Sequence, residues 1–162
     1  MLVGEQPGDE EDVAGRPFVG PAGRLLDRAL ERAGIARETA YVTNVVKHFS
    51  WEQRGRWRIH KKPNAREIAA CRGWLEREIA AVRPKVLVCL GATAAQTLLG
   101  SQFRVSRQRG TLVPSELAPN VLATVHPSSI LRASDDESRR EAFDAFVADL
   151  RRAAEAATPP VR

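Results

Sequence analysis

The chain has 162 residues, and its 25 Lys and Arg exceed its 20 Asp and Glu, which gives a formal charge of +5 with histidine neutral. Hydrophobic residues make up 43% and charged residues 28%, a composition that excludes a disordered, collagen-like or coiled-coil chain. One domain with its own core is the default at this length. Taken alone, the basic excess is weak support for nucleic-acid binding.

From the sequence pattern we expect neither a membrane-spanning nor a secreted protein. No apolar stretch approaches the roughly 20 residues that span a bilayer, and no basic region followed by an apolar one marks a signal peptide. Two cysteines, Cys71 and Cys89, allow one disulfide at most, which favours a reducing compartment. We therefore expect a cytoplasmic protein without a membrane partner.

Apolar periodicity divides the chain into alternating strands and helices. Apolar residues three and four apart predict helices, and short continuous apolar runs predict strands of the kind buried in parallel sheets. Gly34 and Pro84 mark helix ends, and Asn64 can cap a helix start. The predicted elements are a strand at 1–4, a loop at 5–21, a helix at 22–33, a strand at 41–43, a polar loop at 48–63, a helix at 65–82, a strand at 86–90, a helix at 92–99, a strand at 121–125, a loop at 126–129 and a helix at 135–154.

This alternation predicts a three-layer α/β/α sandwich with a mainly parallel central sheet. We expect a single domain over residues 1–155 and a frayed tail over 156–162. In such folds the functional loops lie beyond the carboxyl ends of the strands. Three segments meet that condition, at 5–21, 44–63 and 126–132.

The first two of these loops carry polar residues with two interpretations each. The acidic run at 5–12 is typical of a solvated loop, but the glycines, prolines and Phe18 around it could instead surround a flat ligand. Asn44 can accept and donate, as recognition of a nucleobase edge requires, although a turn-forming Asn is the commoner explanation.

The histidines and cysteines of the sequence can likewise be structural or functional residues. His60 lies within RWRIHKK at 56–62, which indicates a basic surface loop for phosphate contact. His126 starts a His-Pro turn, and such a turn is more often structural than catalytic. Cys71 and Cys89 are too few for a zinc or iron–sulfur site on their own, so inert core thiols are the simpler interpretation.

Four segments together resemble the ordered motifs of the uracil-DNA glycosylase superfamily, on its iron–sulfur, family 4-like side. They read GEQPGDEED at 4–12, GRPFVG at 15–20, TNVVKH at 43–48 and HPSSILR at 126–132. The resemblance covers nearly the whole chain and implies the uracil-DNA glycosylase-like fold.

Two details resemble more narrowly the UdgX branch, whose members cross-link to uracil-containing DNA. One is Gln6, where most family 4 enzymes have Ala. The other is an extended loop that in UdgX typically reads Lys-Arg-Arg-Ile-His and here reads Arg-Trp-Arg-Ile-His. Trp57 departs from that pattern, while Arg58 and His60 keep it.

The resemblance implies excision of a uracil that is flipped out of the DNA. Phe18 would stack on the base, Asn44 would bond its amide edge, and His126 would donate to the carbonyl oxygen that gains charge. Ser128 would hold phosphate, and Leu131 would fill the gap left in the DNA stack. The residues expected at the DNA are Arg58, Lys61, Lys62, Ser128, Leu131 and Arg132.

The resemblance to UdgX further implies a covalent product. In ordinary members an acid or amide of the first motif positions water at C1′, whereas in UdgX a histidine of the extra loop attacks C1′ itself. His60 would be that nucleophile. Glu5 would accept its proton or stabilise the imidazolium, Gln6 would shape the pocket, and Arg58 would anchor the loop. Because an alkylated imidazole leaves poorly, the reaction would stop after one turnover.

An iron–sulfur cofactor is also implied by the resemblance. Family members carry a Cys-x-x-Cys before the first strand, which joins two later cysteines around a [4Fe–4S] cluster. Cys71 and Cys89 lie about where the later pair belongs, and the upstream pair has no counterpart in this chain. A sheet whose opening strand begins at Met1 would be poorly supported, so we expect the natural start to lie further upstream. Loss of the cluster is the alternative.

The expected partners are uracil-containing DNA, preferably single-stranded, and free uracil as product. The protein is expected to be a monomer in the bacterial cytoplasm, associated with the nucleoid. Two alternatives stay open. One is a conventional multiple-turnover family 4-type glycosylase, in which His60 only contacts DNA, and the other is a non-catalytic DNA-binding remnant of the fold.

Overall fold

A computed structural model describes residues 1–158 of the chain. The strands are β1 (Leu2–Gly4), β2 (Val42–Asn44), β3 (Trp51–Arg54), β4 (Trp57–His60), β5 (Val86–Leu90) and β6 (Asn120–Thr124). The α-helices are α1 (Asp9–Ala14), α2 (Pro21–Arg32), α3 (Ala65–Val82), α4 (Ala92–Leu99), α5 (Val105–Gln108), α6 (Pro127–Leu131) and α7 (Asp136–Ala157). A 3-10 turn at Arg37–Thr39 precedes β2.

Four of the strands form a parallel sheet in the order β2-β1-β5-β6. Although β1 has three residues, it is bonded on both sides, with Val3 aligned with Thr43 of β2 and with Cys89 of β5. The Met1 amino group also donates to the Val86 carbonyl at 2.9 Å. The first strand is therefore better supported than its length suggests.

Helices cover both faces of this sheet, which confirms the expected three-layer sandwich. Along β5, Val88 and Leu90 pack on the side of α2 and α7, and Leu87 and Cys89 pack on the side of α3 and α4. Two apolar layers result from this alternation. Each fully buried Leu or Phe in them contributes roughly 1.5–3 kcal/mol from burial.

The polar loop predicted at 48–63 is instead an antiparallel hairpin of β3 and β4, with Arg54 paired to Trp57 and Trp51 paired to His60. Gly55 makes its turn at a φ of +59°, which a glycine adopts without strain. A two-stranded ribbon that buries little apolar surface needs no alternation of polar and apolar residues, so its strands left no signal in the sequence.

The acidic run predicted as a loop forms α1, with its four acids in the first turn. The positive end of the helix dipole favours acids at that position. Glu11 of this turn accepts from the Gly8 N–H at 3.1 Å and from the Gly20 N–H at 2.8 Å. The Glu11 carboxylate thus links the start of α1 to the start of α2.

The remaining differences from the sequence prediction concern two short helices and the end of α7. The short helices α5 and α6 were not predicted, and α7 runs to Ala157, beyond the predicted end at residue 154. Ala156 and Ala157 of the predicted tail thus belong to α7, and residues 159–162 lie outside the described part of the chain. Among residues 1–158, no helix is long and apolar enough to cross a membrane.

Candidate active site

A cleft of about 910 Å³ opens where the parallel strands end. Glu5 follows β1, Asn44 ends β2, Gly91 follows β5, and His126 comes two residues after β6. All four residues line the cleft. The carboxyl ends of parallel strands meet at one edge of a sheet, so residues distant in the sequence converge there.

The structure brings most of the predicted site residues into this cleft. Those that line it are Glu5, Gln6, Phe18, Asn44, His60, Lys62, His126, Ser128, Leu131 and Arg132. Arg58 and Lys61 lie on or next to the hairpin outside this lining, and Cys71 and Cys89 lie in the apolar layer beside α3 and α4. The three loops chosen by the strand-end rule all contribute.

Phe18 forms one wall of the cleft in a constrained position. Its φ of +56° is rare for a residue with a side chain, and it places the ring 5.7 Å from the His126 ring. A Cβ on Gly4 would lie 2.7 Å from the Phe18 ring, and one on Gly23 would collide with the Phe18 carbonyl. Two glycines therefore make the space that this conformation requires.

Asn44 lines the cleft and carries an unused hydrogen-bond acceptor. Its Oδ1 is the one buried side-chain oxygen or nitrogen in residues 1–158 without a hydrogen-bond partner. The backbone behind it is fixed, because the Lys47 ammonium donates to the Asn44 carbonyl at 2.7 Å and to Glu78 at 2.5 Å. An orphaned buried acceptor is costly unless a ligand supplies the donor.

His126 is held as a neutral donor. The Ser128 N–H donates to its Nδ1 at 3.2 Å, and the Ser128 hydroxyl lies 2.8 Å from the same atom. A backbone N–H can only donate, so Nδ1 is unprotonated and the neutral ring carries its proton on Nε2. Burial lowers the pKa of His126 to about 4, despite the opposing effect of the Glu5 charge.

Glu5 connects the sheet to the hairpin through both of its carboxylate oxygens. One oxygen accepts from the hydroxyl of Thr93, a buried residue at the start of α4. The other lies 3.1 Å from His60 Nε2. The carboxylate is mostly shielded, with 22% of its side chain exposed, while 54% of the His60 side chain is exposed. The pair resembles a base oriented by an acid, with one face of the imidazole left open.

Gln6 forms hydrogen bonds to both ends of the hairpin. Its amide nitrogen donates to the carbonyls of Ser50 and Lys61, and its amide oxygen accepts from the Ser50 N–H, each at 3.1 Å. The chain enters and leaves the hairpin at these two residues. The amide of Gln6 therefore fixes where His60 lies relative to Glu5.

Arg58 joins the hairpin to α1. Its guanidinium pairs with Asp12 at 2.8 Å and with Asp9, and its Cζ lies 5.4 Å from the Phe49 ring centroid and 5.6 Å from that of Trp51. These contacts support the anchoring role expected for Arg58. Direct DNA contact by this residue stays a prediction.

The two cysteines do not by themselves fit an iron–sulfur cluster. Cys89 is fully buried, and burial raises the pKa of its thiol to about 12. Cys71 accepts a hydrogen bond from the Lys47 N–H at 3.4 Å. The described residues contain no group of three or more His, Cys, Asp or Glu side chains that could hold a metal, whereas a [4Fe–4S] cluster needs four ligands. Two thiols on one side of the sheet are half of that set.

Thr93 and Glu11 are the site residues that sequence reasoning missed. Thr93 comes three residues after the buried strand β5, at an edge where the strand-end rule applies. Because Gly91 turns directly into α4 with a φ of +93°, no loop drew attention to that edge. Glu11 was one acid in a run of acids, and nothing in the run distinguishes it from its neighbours.

The lowered pKa of His126 can be tested by NMR. Its imidazole signals should not titrate between pH 5.5 and 8, since a pKa of about 4 keeps the ring neutral throughout. Because the unfolded ring has a pKa of about 6.5, the unfolded state binds more protons than the folded state between about pH 4 and pH 6.5. The free energy of unfolding should therefore rise with pH in this window, and His126→Gln should remove that contribution. A midpoint near the unfolded value in the folded protein would contradict the neutral donor.

Comparison with known proteins identifies the family to which this chain belongs. The profile of the Uracil DNA glycosylase superfamily matches residues 1–151. A "Type-4 uracil-DNA glycosylase" of Thermotoga maritima is 40% identical over 141 residues, which cover 86% of this chain and 70% of the relative. The protein of the same name from Archaeoglobus fulgidus is 38% identical over 138 residues, 81% of this chain and 66% of the relative. That from Pyrobaculum aerophilum is 36% identical over 139 residues, 82% and 67% of the two chains. The chain therefore belongs to the uracil-DNA glycosylase superfamily.

Proposed function

We propose that this protein removes uracil from DNA and then bonds covalently to the abasic sugar through His60. Excision is supported by family membership and by relatives named as type-4 uracil-DNA glycosylases. The single observation that carries the covalent step is the pairing of His60 with Glu5 at the rim of the cleft, 3.1 Å apart.

The base would be recognised between Phe18 and Asn44. Uracil offers an N3–H donor beside an O4 acceptor, and the Asn44 amide offers the complementary Oδ1 acceptor and Nδ2 donors. The unpartnered Asn44 Oδ1 would then accept from N3–H. Cytosine has no N3–H, and its exocyclic amine would face the donors of the amide, so the same site rejects it. The Phe18 ring would stack on the flat face of the extruded base.

His126 would stabilise the leaving group. When the bond from C1′ to N1 breaks, its electron pair leaves with uracil, and negative charge spreads to the carbonyl oxygens. A neutral imidazole with its proton on Nε2 can donate to such an oxygen without losing that proton. Fixed donors aimed at developing charge are among the largest contributions to catalysis.

His60 would then attack C1′ of the cationic sugar. A bond forms between an imidazole nitrogen and C1′, and the positive charge moves to the imidazole ring. Glu5 would stabilise that imidazolium or accept its remaining proton. The resulting alkylated imidazole is a poor leaving group, so one protein would trap one abasic site.

The proposed substrate is uracil-containing DNA, single-stranded for preference, and the products are free uracil and the protein–DNA adduct. Lys61, Lys62, Ser128, Leu131 and Arg132 are proposed to contact the DNA. The protein would act as a monomer in the bacterial cytoplasm, near the nucleoid. If a [4Fe–4S] cluster is bound, Cys71 and Cys89 would be two of its ligands and two others must come from elsewhere.

A conventional multiple-turnover glycosylase is the second candidate. It is favoured by the names of the relatives, which describe type-4 enzymes. In that case Glu5 would position a water at C1′, and His60 would only contact DNA. A denaturing gel with uracil-containing single-stranded DNA separates the two: an SDS-resistant shifted band indicates the adduct, and strand breakage after alkali indicates turnover.

Replacement of the nucleophile is the most direct test. His60→Gly should abolish the SDS-resistant adduct, and a water in the space left by the imidazole should restore excision with turnover. Both products are read from the same gel, before and after alkali. Unchanged cross-linking by His60→Gly would rule out this residue as the nucleophile.

Base recognition is tested at Asn44. Asn44→Asp would direct a carboxylate towards the uracil carbonyl, and repulsion should lower the excision rate by orders of magnitude. Binding to DNA that carries a non-cleavable uracil analogue should change little, because phosphate contacts dominate affinity. A parallel loss of DNA binding and chemistry would instead make Asn44 a structural residue.

Thr93 offers a test of how Glu5 is oriented. Thr93→Val keeps the shape of the side chain but removes the donor to Glu5, and it should slow adduct formation about 10- to 150-fold, as expected for one hydrogen bond to a charged group. Thr93→Ser retains the hydroxyl and should recover most of the rate. Single-turnover gels at saturating DNA measure both variants. Equal rates for Thr93→Val and the unmodified protein would show that the Thr93 hydroxyl does not contribute to the reaction.

A further inference from the structure

The hairpin presents an aromatic and basic face on the side opposite His60. Directly paired residues of antiparallel strands share a face, so Trp57 and Arg54 lie together, while His60 and Trp51 lie together on the other face. Trp57 is 63% exposed and Ile59, two residues along the same face, is 38% exposed. Neither residue lines the cleft.

Basic residues flank Trp57 in the sequence, and one of them contacts its ring. The Arg56 guanidinium lies 5.3 Å from the ring centroid, and Lys61 and Lys62 follow directly after β4. Arg56 and Lys61 form no ion pair with any residue in 1–158, and neither does Lys62, which lines the cleft. An exposed aromatic ring among unpaired cations is the arrangement that binds single-stranded nucleic acid, with bases stacked on the ring and phosphates beside the cations.

We infer that Arg56, Trp57 and Ile59 form a binding surface for the single-stranded DNA that flanks the uracil, with Trp57 stacked on an unpaired base. The inference rests on the proposed function, because the flank is that of a uracil held in the cleft. Trp57 and His60 are three residues apart on β4, about 10 Å at 3.3 Å per residue. That distance corresponds to about three stacked nucleotides at 3.4 Å each.

Single-stranded DNA fits this surface better than a protein partner does. One aromatic ring and one aliphatic side chain give far less apolar area than the roughly 800 Å² that each partner buries in a stable protein interface. The unpaired charges are all positive, which complements a phosphate backbone. The surface is carried by β4, the same strand that ends at His60 on the rim of the cleft.

The chain supplies a matched control in Trp74 on α3. Trp74 is 61% exposed, and the Arg77 guanidinium lies 5.3 Å from its ring centroid. The two tryptophans therefore have nearly the same exposure and the same cation contact. They differ in place, because α3 contributes no residue to the lining of the cleft.

The experiment measures the affinity of labelled oligonucleotides by fluorescence anisotropy. Each carries one 2′-fluoro-2′-deoxyuridine, which resists excision, with no, three or six nucleotides on its 5′ or 3′ side. Trp57→Thr removes the ring but keeps a residue that favours strands. We expect its Kd to rise about 10-fold for oligonucleotides with the longer flank on one side, and to be unchanged when that flank is missing. Trp57→Phe should retain most of the affinity, and Trp74→Thr should bind every oligonucleotide as the unmodified protein does.

Three results would overturn the inference. The first is a loss of affinity for Trp57→Thr that is equal for all flank lengths, since this indicates a disturbed hairpin. The second is a loss no larger than that of Trp74→Thr. The third is a change in sedimentation of the free protein without any flank effect, which would assign the surface to a second copy of the chain.

The outcome also separates this inference from the proposed function. If the unmodified protein neither excises uracil nor cross-links while the flank effect of Trp57 persists, the proposed function fails and the binding surface stands. If it does excise uracil and no flank effect is found, the proposed function stands and the surface is wrong.

Discussion

The Glu5 carboxylate is the contact on which the arrangement of the cleft depends, because its two oxygens bind two different parts of the molecule. One accepts from Thr93 at the start of α4, inside the sandwich, and the other meets His60 on the hairpin. Glu5 directly follows β1, which is bonded to strands on both sides. The position of an exposed hairpin is thereby set by an interior strand of the sheet. Gln6, the next residue, adds three hydrogen bonds to the base of the same hairpin.

The two histidines of the cleft have environments suited to different tasks. His126 is buried beside Phe18, and burial lowers its pKa to about 4, so it stays neutral and can donate from Nε2. His60 has a carboxylate on one side and solvent on the other. A donor that must not give up its proton benefits from burial, whereas a nucleophile that becomes cationic benefits from an adjacent anion. Histidine can therefore serve in one cleft both as the proposed donor to the leaving group, at His126, and as the proposed nucleophile, at His60.

How much of this could be predicted from the sequence depends on the kind of signal each element carries. The helices α2 and α3 and the strand β5 bury continuous apolar faces, and periodicity predicted them closely. The hairpin buries almost nothing, so β3 and β4 were taken for a loop although they carry His60. The strand-end rule selected the loops of Phe18, Asn44 and His126, which do converge. It missed Thr93, because Gly91 makes the turn after β5 without a loop. The roles expected for these residues came from the resemblance of their motifs to a known family. That resemblance could not predict the hydrogen bonds that Gln6 makes to the hairpin.

The hairpin has an inner face, which carries His60, and an outer face, which carries Trp57. The charges differ between the two faces, and this difference bears on where DNA would lie. Arg58, on the inner face, is matched by Asp9 and Asp12 of α1, so the contact carries a net negative charge, which repels phosphate. The same contact holds the hairpin against α1, and the helix dipole favours those acids at the start of α1. The outer cations, Arg56 and Lys61, have no such partners among residues 1–158. A phosphate backbone would therefore pass along the outer side of the hairpin and reach the cleft near His60. The anchor that orders the hairpin would thus also set the side from which a DNA strand approaches.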